Sequence, residues 1–347
     1  HGSGERRAQL GGDAGHGGQP AALLPALLPL QDVLLLPLLA LPRGPHRQGR
    51  AHHRRFLRHR RAIGLPVRAE AGLLALVARR ESSLRQVADR ALELGARDVI
   101  VLPGDVSAPD DCNRFVQTAI SHYDRLDHLV CNAGIASVGA FLEIPDVTKY
   151  SSQIDVNFWG SVQTTFAALP HLKSRGRIVV TASATGWNPV PRMSFYNAAN
   201  AALINFFETL RTELGNQVGI TVVTPGRIES EMSKGRYLKE HGEMEVDQEM
   251  RDAQIGLFPV EYAKNCAKAM VQAAQQGERY LTVPAWFRAM YLWRVFAPEV
   301  VEICYRLLYM HGHGARQADT ASRTMAESGG KQLLYPTSLR SGEIKSD

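Results

Sequence analysis

From Leu73 onward, short apolar runs alternate with longer amphipathic stretches, and that rhythm leaves few folds open. The apolar runs predict strands near 73–79, 98–103, 127–131, 177–183, 219–224 and 279–283. Stretches with helical spacing predict helices at 83–95, 109–122, 147–172, 195–215 and 260–275. Strands that alternate with helices pair in parallel, because a crossover long enough to reverse direction twice holds a helix. The expected class is α/β, a doubly wound parallel sheet. Gly95 and Gly215 stand where helices should be capped, and Pro103-Gly104 and Pro225-Gly226 end strands. Those last turns lie at the carboxyl edge of the sheet, where open α/β sheets bind ligands.

A chain of 347 residues with 45% hydrophobic content can bury a full core between residues 73 and 310. Its net charge of +6 is misleading, because eight arginines fall within residues 43–61. The basic excess belongs to that one segment, which argues against a nucleic-acid partner for the domain as a whole. Cys112, Cys131, Cys266 and Cys304 have neither paired nor metal-type spacing, so free thiols in a reducing compartment are expected.

The flanks differ from the middle. Residues 1–19 are rich in glycine, histidine and charge, and disorder is expected there. Residues 20–42 are apolar apart from Asp32 and carry five prolines. That length suits a membrane segment of about 20 residues, and the prolines favour a hairpin or re-entrant anchor over a straight span. Residues 284–310 are aromatic, consistent with a core helix, a homodimer face or an amphipathic lid on lipid. The polar residues 311–347 are expected to be a disordered tail.

The chemistry lies in a spaced set. Asn132-Ala133-Gly134 closes an apolar run, Asn157 sits in DVNFWG, Ser183 precedes Tyr196 by thirteen positions, and Pro225-Gly226 follows ITVVT. In this order and spacing, residues 73–285 resemble the short-chain dehydrogenase/reductase family. The resemblance implies a Rossmann-type sheet and a nicotinamide cofactor. It makes Tyr196 a general acid or base, and Ser183 a hydrogen-bonding partner of the same substrate oxygen. It gives Asn157 a water that relays protons.

Two parts of the family pattern are missing. The lysine expected four residues after the tyrosine is Asn200, so the catalytic set reads Asn157, Ser183, Tyr196 and Asn200. One positive charge about 5 Å away, at an effective dielectric near 20, is worth roughly 3 kcal/mol or about two pKa units. Without it Tyr196 should titrate near 10.

No glycine-rich phosphate loop precedes the first intact strand. Residues 50–61, RAHHRRFLRHRR, are what a family-type opening peptide, VLITGASSGIGE, becomes when suitable codons are read one base out of register. We therefore read residues 43–71 as an aberrant, frameshifted segment in place of the first strand and loop, a hypothesis that transcript sequencing would test. A strand bearing Arg54, Arg55, Arg58, Arg60 and Arg61 would bury unpaired cations at several kcal/mol or more each, and is not expected in the centre of a sheet.

For the cofactor, the second strand ends in Val77-Ala78-Arg79-Arg80, and arginines there favour the 2′-phosphate of NADP over NAD. By resemblance, Asp105 contacts adenine, Asn132, Ala133 and Gly134 line the cofactor, and Pro225, Gly226 and Ile228 lie over the nicotinamide. Arg227 in that loop is bulky and charged.

Within the family, LALVARRE, DVNFWGSV, PRMSFYNAA, NFFETLRTELG, SEMSKG and YLWRVFAPEV resemble the plant hydroxysteroid dehydrogenases called steroleosins. That branch implies a sterol-like substrate and a place on lipid droplets or the endoplasmic reticulum membrane, with the catalytic domain facing the cytosol. The loss of the lysine and the phosphate loop keeps a second function open: a catalytically silent lipid-surface scaffold or regulatory protein.

Overall fold

The computed structural model describes residues 34–38, 72–310 and 318–340. Among the described residues there are nine strands, and six of them, starting at Leu73, Asp98, Leu126, Leu172, Val218 and Tyr280, fall on the expected runs and alternate with helices. In chain order the elements begin with β1 (Leu34–Leu38), β2 (Leu73–Ala78), α1 (Glu81–Glu93), β3 (Asp98–Pro103), α2 (Pro109–Tyr123) and β4 (Leu126–Cys131). A broken helix comes next: α3 (Ser151–Ile154), a π turn (Asp155–Trp159) and α4 (Gly160–Ala168). Then come β5 (Leu172–Thr181), α5 (Ser194–Leu214), β6 (Val218–Pro225), the small hairpin β7 (Arg236–Leu238) and β8 (Met244–Val246), and α6 (Gln248–Ile255). The domain closes with α7 (Ala263–Gln276), β9 (Tyr280–Val283), α8 (Phe287–Phe296) and α9 (Pro298–Tyr309), and α10 (Ala321–Met325) begins the folded tail.

Seven strands form one sheet in the order β3-β2-β1-β4-β5-β6-β9. All neighbours are parallel except those of β1, which runs antiparallel to both β2 and β4. The parallel strands are apolar because helices cover both faces. Alternation along β2 shows the two layers: Ala75 and Val77 join one core with Phe115, Ile178, Val180 and Phe207. Leu74, Leu76 and Ala78 meet Leu84, Val87, Ala88 and Ala91 on the other face. Those four α1 residues recur at helical spacing, which is why α1 packs as it does. In α2, Pro109 starts the helix and Asp110 and Asp111 face its positive end. Its last residue, Tyr123, is tied to the sheet by a 2.9 Å bond to the Leu74 carbonyl.

Three expectations need correction. Within residues 20–42 the described part, Leu34–Leu38, is a sheet strand rather than part of an anchor, and the rest lies outside the described residues. The slot of the central strand is thus filled from upstream, in the reverse direction. The tail is also not wholly disordered, since residues 318–340 fold back. Tyr335 and Leu339 are buried with Ile255 and Val260, and the Tyr335 hydroxyl donates to the Gly256 carbonyl at 2.8 Å. Finally, the helix expected at 147–172 ends early, because β5 already begins at Leu172. Residues 1–19 and 43–71, with the frameshift reading, lie outside the described residues. No described helix is long and apolar enough to cross a membrane.

Helices α8 and α9 have two characters. Phe287, Val301, Tyr305 and Tyr309 point inward and are buried, whereas Leu292, Trp293, Phe296, Ile303 and Leu307 are exposed. All four cysteines are free thiols.

Candidate active site

The carboxyl edge of the parallel strands carries the site. Asn132-Ala133-Gly134 leaves β4, Ser183 follows β5, and Pro225 and Gly226 end β6. Tyr196 and Asn200 lie one turn apart on the first part of α5. One cavity is lined by Asn132, Ala133, Gly134, Asn157, Ser183, Tyr196, Asn200, Pro225, Gly226 and Ile228, so ten of the expected residues converge.

Ser183 is extended and caps the short 3-10 turn Ala184–Gly186, accepting from the Thr185 N–H at 3.2 Å. That turn sits hard against α5: a side chain at Gly186 would meet the Asn200 backbone at 2.9 Å. Close packing here is what brings the serine to the tyrosine. Burial pushes the Tyr196 phenol above its ordinary value of 10.0, and hydrogen bonding to Ser183 and Asn200 pulls it partway back. Both compensating groups are neutral. The missing lysine charge is therefore visible in the phenol's environment.

Asn200 does not reach outward as a lysine would. Its Nδ2 donates to the Tyr196 carbonyl at 2.8 Å, a bond within the helix, and the residue is buried. Asn157 has a structural task that the resemblance did not give it. Its Oδ1 accepts from the Ile135 N–H and its Nδ2 donates to the Ile135 carbonyl, both at 2.8 Å. The side chain pins the loop after Gly134 with one N–H and one oxygen lone pair, and its second N–H and second lone pair are not used by these two bonds. The π turn Asp155–Trp159 carries it, a distortion common at functional positions.

Arg79, Arg80 and Asp105 lie apart from this cavity, at the ends of β2 and β3. Arg79 and Arg80 line a neighbouring cleft with Arg236, Gly242, Glu243 and Met244 from the β7–β8 hairpin. Arg79 stands 3.9 Å from the Asp105 carboxylate, and both are well exposed. Asp105 Oδ1 is held by the N–H and hydroxyl of Ser107, at 2.9 and 2.7 Å. Through Oδ1 that carboxylate shapes the turn, while Oδ2 faces Arg79.

Sequence reasoning missed one wall of the cavity. Asn188, Gln254, Phe258, Phe287 and Tyr305 line it, supplied by the loop after Ser183, by α6 and the turn after it, and by α8 and α9. A side chain at Gly226 would meet the Phe287 ring at 2.2 Å, so α8 rests directly on the Pro225-Gly226 turn. The aromatic richness of residues 284–310 was the available signal, but it does not say which rings turn inward.

The model for "short chain dehydrogenase" matches residues 65–241 of this chain. An Arabidopsis thaliana protein named 11-beta-hydroxysteroid dehydrogenase 1A is 52% identical over 277 residues, 79% of each chain. An Arachis hypogaea protein named 11-beta-hydroxysteroid dehydrogenase A is 47% identical over 276 residues, again 79% of each. Among solved structures, a short chain dehydrogenase/reductase from Burkholderia phymatum in complex with NAD aligns with a TM-score of 0.57. It is 23% identical and covers 65% of this chain and 85% of that one.

Proposed function

We infer that this chain, which belongs to the short chain dehydrogenase family, is built for NADP-linked interconversion of a hydroxyl and a keto group on a sterol-like substrate at a lipid surface. The observation that carries the reading is the meeting of Ser183 and Tyr196 in one largely apolar cavity. A carbonyl that receives a hydride needs a proton on its oxygen. Tyr196 is positioned to give it, and Ser183 to hold the oxygen while negative charge develops there. Because burial raises the phenol's pKa, Tyr196 is protonated at neutral pH. This favours reduction of a ketone over oxidation of an alcohol.

When bound, a nicotinamide dinucleotide supplies or accepts the hydride. The residues fit its two ends. Asn132, Ala133 and Gly134 face Pro225, Gly226 and Ile228 around the Ser183–Tyr196 pair, and Thr181 Oγ1 is buried there without a partner. Arg79 and Arg80 suit a 2′-phosphate at the other end. The middle does not fit. In this family of folds a glycine loop after the central strand cradles the pyrophosphate, but β1 runs the opposite way. Its last residue, Leu38, pairs with Leu73, at the edge far from the site. A dinucleotide that the described residues hold only at its ends should bind weakly.

The sterol and lipid parts rest on other support. Two plant relatives carry hydroxysteroid dehydrogenase names, the cavity walls are mainly apolar, and α8 and α9 expose Trp293, Phe296 and Leu307. The second reading, a silent lipid-surface scaffold, is favoured by Asn200 and by the reversed β1. Thermal unfolding of the whole chain with 5 mM NADP or 5 mM NAD separates the two. The enzyme reading expects a small NADP-specific rise in Tm, together with slow NADPH oxidation on a ketosteroid. No stabilisation and no turnover would leave the scaffold.

A further inference from the structure

We propose that Arg227 heads an anion-selecting subsite within the cavity, so that the preferred ligand is an apolar, hydroxylated body carrying an acidic group. The proposal rests on reading this cavity as the substrate chamber. Arg227 follows Gly226 and lines the chamber. Its Nη2 donates to the Tyr309 hydroxyl at 2.8 Å, and its guanidinium carbon lies 5.3 Å from the Phe258 ring centroid and 6.0 Å from that of Tyr309. Among the described residues no carboxylate lies within ion-pairing distance of it. Glu229, the acid that shares the cavity wall, accepts from the Ser338 hydroxyl instead.

A cation among rings and a single phenol is poorly compensated, and an anion delivered by a ligand would complete it. Its charge is felt by Tyr237, Tyr305 and Tyr335, whereas the Tyr196 phenol responds to Ser183 and Asn200. The acidic group would therefore sit at a distance from the reacting oxygen.

A second observation also points to a ligand. Asn188 and Gln254 are both buried, at 3% and 2% exposure, and both line the cavity. Asn188 Nδ2 donates to the Tyr305 hydroxyl at 2.6 Å, but Asn188 Oδ1 has no partner. Gln254 Nε2 makes a long 3.4 Å bond to the Pro191 carbonyl, and Gln254 Oε1 has no partner. Two unpaired buried acceptors are costly unless a ligand supplies donors. Hydroxyl groups on the ligand body would do so, while the acidic group pairs with Arg227.

Cholic acid and its methyl ester test this directly, since they differ in charge at one end. Trp286 reports binding: its ring stacks 4.2 Å from Phe287 and 6.1 Å from Phe258, both of which line the cavity. At pH 8 the whole chain should bind the acid at least about tenfold more tightly than the ester. Arg227→Gln should erase that preference and leave ester affinity within about twofold, while Arg227→Lys should keep most of it. Tyr309→Phe removes the phenol that holds the guanidinium and should preserve the preference. Equal affinity for acid and ester would overturn the subsite alone, as would equal weakening of both by Arg227→Gln. Failure of both compounds to bind would overturn the subsite together with the steroid reading.

Discussion

Replacing Asn157 with alanine should cost this fold about 3–4 kcal/mol, with the damage centred on the loop after β4. Asn157 is 4% exposed and Ile135 is 5% exposed, so neither has water to fall back on. The carboxamide satisfies the Ile135 N–H and carbonyl together, each at 2.8 Å. Truncation leaves both main-chain groups buried and unpaired, at about 1–3 kcal/mol apiece. The result is a large share of the roughly 5–15 kcal/mol that holds a typical domain together. Urea unfolding followed by far-UV circular dichroism measures it as a fall in midpoint at unchanged slope. Asn157→Asp keeps the acceptor for the Ile135 N–H but sets a carboxylate against its carbonyl, so it should fall at least as far. A loss below about 1 kcal/mol for the alanine variant would mean that water or a shifted loop replaces both bonds. The argument that Asn157 is a positioning residue would then fail.

Two further outcomes follow from named groups. Asn200→Lys should lower the Tyr196 phenol by about two pKa units if the new ammonium settles near 5 Å at an effective dielectric near 20. Tyrosinate absorbance in this variant, differenced against Asn200→Lys combined with Tyr196→Phe, measures that shift, and an unchanged titration would refute it. His128 is half-buried, with Nδ1 fully shielded and unpartnered, and desolvation first, then the Arg177 charge, holds its pKa at about 4 against the pull of Asp127. The folded value lies below the unfolded value near 6.5, so protonation favours unfolding. Its contribution is intact above about pH 6.5 and shrinks by roughly 3 kcal/mol as pH falls toward 4. His128→Gln should flatten that part of the stability profile, and an unaltered pH slope would count against it.

The legibility of this chain tracks how local each signal is. The parallel strands were readable because doubly buried strands are written as unbroken apolar runs, such as Leu73–Ala78. The convergence of Asn132, Ser183, Tyr196 and Pro225 was readable because the turn after each strand places it at one edge. What failed was non-local. Nothing in the tail announces that Tyr335 will be buried against Ile255, since its pocket is made of residues some eighty positions upstream. Asn188, Gln254 and Tyr305 come from three separate elements, and no spacing rule links them. The Asn157 role drawn from resemblance missed its bonds to Ile135, because a π turn sets where that amide points.

The reversed β1 separates two things that one strand normally does together. A central strand completes the hydrogen bonding of its neighbours, and the direction in which it runs decides at which edge the next loop emerges. Main-chain donors and acceptors can be satisfied by an antiparallel partner as well as by a parallel one. Leu34–Leu38 therefore pairs with all of Leu73–Val77 and leaves no open gap beside β2. The second task cannot be met in reverse, because Leu38 delivers the chain to the Leu73 end while the arginines and Asp105 lie beyond Ala78. Stability and cofactor affinity should thus respond to different changes in this molecule. Substituting Leu36 with proline, which removes a main-chain donor from mid-strand, should lower the urea midpoint while leaving the ratio of NADP to NAD affinity unaltered. Arg79→Ala should do the reverse.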